Sequence, residues 1–236
     1  MAYYDRIARR WHRATGYRGG GFKRHVLNDV LIEKMPAVAG RSILELGAGN
    51  GYFMPLALDR FSGQIPERTV ITDGSARLLA LAETEFRIPA AEYLQLDVRS
   101  QFPFEDASFD LILATMIFNE VSTGGLRRAL IECRRVLRVS GLLLITITHP
   151  EFIASLDRRK ELEQDRNGVL TMPGPAGISL PIVPRRVSDY EQLLAKTDFT
   201  WDKSNVRMTE KVLREKPGLR HVGNRPLALI FSCRPT

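Results

Sequence analysis

Residues 43–53 read ILELGAGNGYF. An apolar run carries Glu45, and glycines follow at 47, 49 and 51. Glycines at alternate positions after a short strand let the backbone approach a nucleotide-like ligand closely. The dinucleotide fingerprint, however, is G-x-G-x-x-G. Gly47 and Gly49 satisfy it, but Tyr52 stands where the third glycine belongs, and Gly51 comes one residue early. A phosphate P-loop needs G-x-x-x-x-G-K-[ST], and no lysine stands near these glycines. Glu45 points the same way, because a carboxylate beside the loop repels a pyrophosphate and attracts a cation.

Working outward from this stretch, strands and helices alternate. SILEL (42–46), RTVITD (68–73), AEYLQLD (91–97), FDLILAT (109–115) and LLLITIT (142–148) read as strands. Helices are expected from about Tyr52, over 75–86 with Ser75 as N-cap, and over 126–138, where Leu126, Leu130, Cys133 and Leu137 share one face and Gly141 marks the stop region. Near-continuous apolar strands separated by helices predict a parallel sheet covered on both faces. Residues 3–15 and 22–38 also read as helices, joined by TGYRGGG as a hinge or linker. After residue 150 the pattern changes. VLTMPGPAGISLPIV (169–183) reads as a hairpin on the main sheet. SDYEQLLAKTDF (188–199) is a helix with Ser188 as cap and Glu191 at the capping-box position. TWDKSNVRM (200–208) and PLALIFSC (226–233) close the chain as strands. The expected fold is α/β, a Rossmann-like doubly wound sheet, mostly parallel with an antiparallel last strand. Within one domain, residues 1–40 are an N-terminal helical lid, 41–150 the cofactor-binding core, 151–186 a substrate-cap insertion, and 187–236 the C-terminal helix and strands.

Bulk properties bound the function. A 236-residue chain that is 44% hydrophobic suits one α/β domain. No run of 18 apolar residues occurs, so no spanning helix is expected, and the basic, aromatic N-terminus lacks the apolar segment of a secretory signal. The two cysteines, Cys133 and Cys233, lie outside any metal-spaced cluster and read as buried thiols, so a cytoplasmic location is the default and no metal site is expected. The charge is uneven. Residues 1–44 hold 9 Lys/Arg against 3 Asp/Glu, residues 45–150 hold 10 against 13, and residues 151–236 hold 15 against 11. An acidic middle between basic flanks differs from a uniformly basic nucleic-acid footprint, although the flanks could still draw in an anionic substrate, a membrane surface or RNA.

S-adenosylmethionine carries an ammonium, a sulfonium and an uncharged adenosine, with no phosphate, and suits such a loop. The pattern E-x-G-x-G-x-G resembles motif I of the class I S-adenosylmethionine-dependent methyltransferases. Asp73, at the end of the second strand, can accept from both ribose hydroxyls. FPFEDASFDLILAT (102–115) and RRALIECRRVLRVSGLLLITITHP (127–150) resemble further segments of that family, with Val139-Ser140-Gly141 where Pro-Gly-Gly is usual. YYDRIARRWHR, VPRRVSDYEQLLAKTDF and NRPLALIFSCRP resemble the first, late and last segments of its small-molecule members, of the methyltransferase type 11 kind. The resemblance implies that Asp97, with the next amide, contacts the adenine edge. It implies a cofactor set of Glu45, Gly47, Ala48, Gly49, Gly51, Asp73, Gly74, Asp97, Val98, Ala114, Thr115 and Tyr17, with S-adenosylhomocysteine as product.

Methyl transfer needs the nucleophile held in line and water excluded, so catalytic groups are harder to read than cofactor contacts. His149, directly after the fifth strand, is expected either as general base or substrate contact or as a pocket-shaping side chain. Glu120 is a second catalytic candidate. Tyr4, His12, Met116, Asn119 and Phe152 are expected on the substrate side. ATMIFNEV (114–121) lacks the [DN]-P-P-[YF] run of nucleic-acid amine methylation, and Cys133 sits mid-helix, where it cannot serve as the nucleophile of RNA pyrimidine C5 methylation. A small-molecule acceptor, methylated at O, N or C, is therefore the leading expectation, and the chain is expected as monomer or homodimer. Nucleic acid is not the expected partner. The alternatives are an RNA methyltransferase using the basic flanks, or a rearrangement or cyclisation on the same fold.

Overall fold

Glycine loop, alternating strands and helices assemble around a mostly parallel sheet in a computed structural model that describes residues 2–158, 160–165, 169–215 and 224–236. The chain opens with helix α1 (Ala2–Thr15), a 3-10 turn at Gly16–Arg18, the short α2 (Gly20–Phe22), a π turn at Lys23–Leu27, and α3 (Asn28–Lys34). Then follow β1 (Ser42–Leu46), α4 (Phe53–Arg60), β2 (Arg68–Asp73), α5 (Ala76–Glu85), β3 (Glu92–Gln95), β4 (Phe109–Thr115), α6 (Thr123–Val136) and β5 (Leu137–Thr148). The remainder is α7 (Pro150–Arg158), β6 (Glu163–Gln164), β7 (Leu170–Pro173), β8 (Ser179–Pro181), α8 (Val187–Ala195), β9 (Phe199–Arg207), α9 (Glu210–Glu215) and β10 (Pro226–Pro235). His221 lies outside the described residues.

The main sheet has the order β3-β2-β1-β4-β5-β10-β9, with β10 antiparallel to both β5 and β9 and the other pairs parallel. The strand order reverses between β1 and β4, so the helices that follow them leave on opposite faces and a crevice opens at the strands' carboxyl ends. Alternation along the strands divides the core. Leu44, Leu46, Ile112 and Ile145 pack with Leu126, Leu130 and Cys133 of α6. Ile43, Leu111, Leu113 and Leu144 pack with Leu31 of α3 and Phe53 of α4. Both cysteines are free and buried, and burial pushes both thiols up. Among the described residues, no helix is long and apolar enough to cross a membrane.

Six local expectations are corrected. The glycines at 19–21 form a compact helical turn rather than an open linker, and the expected helix 22–38 is broken by the π turn and ends at Lys34. Helix α6 stops at Val136, and Leu137 already pairs with Phe109, so Gly141 lies inside β5 rather than beyond a helix end. The third strand is shorter than 91–97. The hairpin gains β6 and forms a separate three-stranded antiparallel sheet. Helix α8 begins one residue earlier than expected, so its first turn is closed by Asp189, whose carboxylate accepts the Arg186 amide at 2.8 Å, and Ser188 is inside the helix.

Gly51 shows how the loop is held on the core. It adopts φ +79°, and a Cβ there would lie 2.4 Å from the Ala82 Cβ on α5. Gly51→Ala therefore combines a left-handed backbone with overpacking, and a loss of about 2–4 kcal/mol is expected. Urea denaturation measures it, and a loss under about 1 kcal/mol would show that the contact is readily relieved.

Candidate active site

A cavity of about 710 Å³ opens at the carboxyl ends of β1, β2, β4 and β5. Its floor is Gly47–Asn50 and Tyr52 from the glycine loop, Asp73 and Gly74 after β2, Asp97–Arg99 after β3, and Thr115–Ile117 with Asn119 and Glu120 after β4. The α1 side chains Tyr4, Trp11 and Thr15 enter from one side, and Phe152, Met172, Pro173 and Leu180 close it from the cap. Lid and cap touch each other: Tyr3 Oη donates to the Ser179 carbonyl, and Arg10 donates to the Ala176 carbonyl at 2.7 Å. Asp5 anchors the lid to the core by accepting from Ser75 Oγ at 2.6 Å, while Ser75 Oγ itself accepts the Leu78 amide as N-cap of α5.

Asp73 organises the floor. One carboxylate oxygen accepts the Gly49 amide at 2.8 Å and the other accepts the Ser75 amide at 2.8 Å. Burial, opposed by these two bonds, pushes its carboxyl up to about 6. Gly47 has φ +67°, and a Cβ there would lie 2.8 Å from the Ile117 side chain, so only glycine keeps this wall open. Asp97 is held below its usual range by Arg99, which donates to both of its oxygens at 2.7–3.1 Å.

Glu45 lies behind the loop rather than on the cavity wall. It is 1% exposed, and its Oε2 has no hydrogen-bond partner. Burial raises its carboxyl to about 7, with Lys23 opposing the rise. Thr115 Oγ1, on the wall, is the other buried side-chain oxygen without a partner among the described residues. Glu120 accepts from Tyr4 Oη at 2.5 Å, and burial pushes its carboxyl up to about 7 against that bond. Asn119 is structural as well as lining: its Oδ1 accepts the Thr148 amide at 3.0 Å, and its Nδ2 donates to the Met116 carbonyl at 3.2 Å.

Several expected residues lie elsewhere. Strand alternation puts Thr148 on the wall and turns His149 away from it. The His149 ring instead accepts the Glu151 amide at 3.2 Å, bonds Asn205, and is held below its usual pKa by burial, so it caps α7 rather than facing the acceptor space. Gly51 packs on α5 and Ala114 is fully buried one residue short of the wall. His12 contacts Asn50 at 3.3 Å outside the lining, and the exposed Tyr17 packs edge-on against Phe86. Lys23, Trp11 and Thr15 on the lid, and Met172 and Leu180 on the cap, are lining residues that strand-end reading did not find; only their place in the presumptive lid and cap signalled them.

The orphaned Thr115 oxygen, the glycine-lined floor and the acids Asp73 and Asp97 at successive strand ends fit a ligand rich in hydroxyl, amine and aromatic edges. Residues 44–145 match the methyltransferase domain family model. Over 145 residues the chain is 32% identical to demethylmenaquinone methyltransferase of Thermotoga maritima, covering 61% of this chain and 59% of that one. Over 132 residues it is 32% identical to the tRNA N(3)-methylcytidine methyltransferase of Drosophila melanogaster, covering 51% and 40%. An S-adenosylmethionine-dependent methyltransferase structure from Mesorhizobium loti shares the fold, with a TM-score of 0.67 at 20% identity over 87% of this chain and 96% of that one. The chain spans 41–47% of the length of further curated methyltransferases from Mycobacterium tuberculosis and Coxiella burnetii. The match over residues 44–145, the curated relatives and the shared fold together support a class I S-adenosylmethionine-dependent methyltransferase. S-adenosylmethionine is the cofactor of that class.

Glu45 yields a stability test. Its native pKa of about 7 exceeds the ordinary 4.5, so between those values the native state holds a proton that the unfolded chain has lost. Stability from this group is present below about pH 4.5 and falls as pH rises toward 7, by at most about 3 kcal/mol. Glu45→Gln should therefore raise the melting temperature at pH 8 and change it little at pH 4.5. Equal shifts at both pH values would assign the effect to packing.

Proposed function

We propose that this protein transfers the methyl group of S-adenosylmethionine to O, N or C of a small, largely apolar molecule. The observation that carries this reading is the continuity of the cavity. It runs from the glycine loop, Asp73 and Asp97 to Glu120 and then beneath Phe152, Met172 and Leu180. The cofactor, when bound, supplies an electrophilic methyl on positive sulfur. Asp73 would accept from the ribose, Asp97 and Val98 would meet the adenine edge, and Gly47, Ala48 and Gly49 would hold the amino-acid end. Lid residues 1–40 and cap residues 151–186 select the acceptor and exclude water.

In this reading Glu120 takes the proton. Its carboxylate faces the cavity, and Tyr4 fixes one oxygen, leaving the other to meet an O–H or N–H acceptor. Only the ionised form accepts, so transfer should fall about tenfold per pH unit below about pH 7. Calorimetry with S-adenosylhomocysteine should show micromolar binding that is lost on Gly49→Arg and weakened on Asp73→Ala. No heat with cofactor and product alike would end the reading. Labelled-methyl transfer to fractionated metabolites should then reveal the acceptor, with Glu120→Gln about 10²-fold slower and cofactor affinity retained. Absence of any labelled product, with cofactor bound, would favour rearrangement or cyclisation chemistry.

One observation favours a second reading. The helix that places Tyr4 and Trp11 in the cavity exposes Arg6, Arg9, Arg10 and Arg13, and the Drosophila relative is named for tRNA. Such a fringe could hold an RNA backbone outside the cavity while a base enters. Steeply salt-dependent retention of tRNA would support it, and no retention at low salt would remove it.

A further inference from the structure

Two cationic side chains line the cavity among the described residues, Lys23 and Arg99. Arg99 is already engaged by Asp97 through both of its oxygens. Lys23 makes no direct ion pair or hydrogen bond among the described residues. Its ammonium lies 5.7 Å from the centre of the Tyr52 ring, and Tyr52 closes the glycine loop. Glu45, behind that loop, is the acid it feels most strongly, ahead of Glu120 and Asp73. The lysine is therefore beside the loop. The surrounding protein desolvates it and lowers its pKa, and a desolvated ammonium without a partner is costly.

The local backbone accounts for its reach. Lys23 opens the π turn Lys23–Leu27, which follows the three glycines of the lid. At Gly19 a Cβ would fall 2.3 Å from the Tyr52 ring, so the lid backbone rests directly on the tyrosine that follows the loop. π turns are frequent at functional sites, and the lysine that opens this one lines the cavity.

S-adenosylmethionine carries one anionic group, the α-carboxylate, and it belongs to the amino-acid end that the glycine loop holds. We propose that Lys23 is a cofactor-binding residue: its ammonium takes the α-carboxylate and so fastens the lid over the cofactor. This rests on the cofactor reading above. An acceptor's own anionic group is the competing partner, but the acceptor end of the cavity lies at Glu120 and the cap.

The test is a ligand–mutant cycle by titration calorimetry. The probes are S-adenosylhomocysteine and S-adenosyl-3-thiopropylamine, which lacks only the carboxylate. Lys23→Ala should weaken the first by about 10- to 100-fold and the second by less than about 3-fold. Lys23→Arg should retain most of the affinity for the first. S-adenosylhomocysteine should also slow tryptic cleavage in the lid of the wild type, and do so less in Lys23→Ala at equal occupancy. Equal weakening of both ligands would overturn the proposal, because Lys23 would then only shape the lid. Unchanged binding of S-adenosylhomocysteine by a folded Lys23→Ala would overturn it as well. Failure of the wild type to bind either probe would instead remove the cofactor reading on which it stands.

Discussion

The carboxylate of Asp73 joins the two halves of the site. By accepting the Gly49 amide with one oxygen and the Ser75 amide with the other, it fixes the loop after β1 to the start of α5. The bonds are charge-assisted and mostly shielded from water, and so are stronger than neutral ones. Everything placed by that junction follows. Gly51 can pack against Ala82, Tyr52 can carry the lid at Gly19, and Ser75 can cap α5 while holding Asp5 of α1. One acid thus sets the loop that floors the cavity and, through Ser75, the helix that packs beside it.

Around that junction the site concentrates buried acids. Glu45, Asp73 and Glu120 are all pushed up by desolvation, and Glu45 and Glu120 both feel Asp73, which raises them, and Lys23, which opposes the rise. Such an arrangement suits a cationic methyl donor, since a bound positive charge restores what burial has taken from the ionised acids. It also separates inside from outside. The arginines of α1 lie on the surface, while the cavity wall is acidic and apolar. Basic flanks and an acidic middle, which look contradictory in the chain, are an outer fringe and an inner pocket in space.

Much of this was readable beforehand because it depends on short-range pattern. Strand positions followed from continuous apolar runs, and the acids at strand ends were found because a parallel sheet brings those ends to one edge. The Ser75 cap and the two buried thiols needed no long-range information. The misses have equally plain causes. His149 stood at the correct strand end, but alternation decides which of two adjacent residues faces the ligand, and Thr148 took the wall. Gly51 belonged to the motif yet serves α5, and only the distance to Ala82 reveals it. Ser188 looked like a cap because Glu191 follows it by three, whereas Asp189 accepts from Arg186 instead.

The order of strands and helices, the glycine loop and the acids at the strand ends were determined by local sequence, since periodicity and turn chemistry act over a few residues. The tertiary structure alone decided which side chains meet across the cavity. Tyr4 reaches Glu120 across 116 positions of sequence, and Arg10 reaches the cap at Ala176. Lys23 meets Tyr52 across the cavity edge, 29 positions further along the chain. These encounters come from packing the lid and cap over one sheet edge, and no local pattern encodes the distance between residues that the chain keeps so far apart.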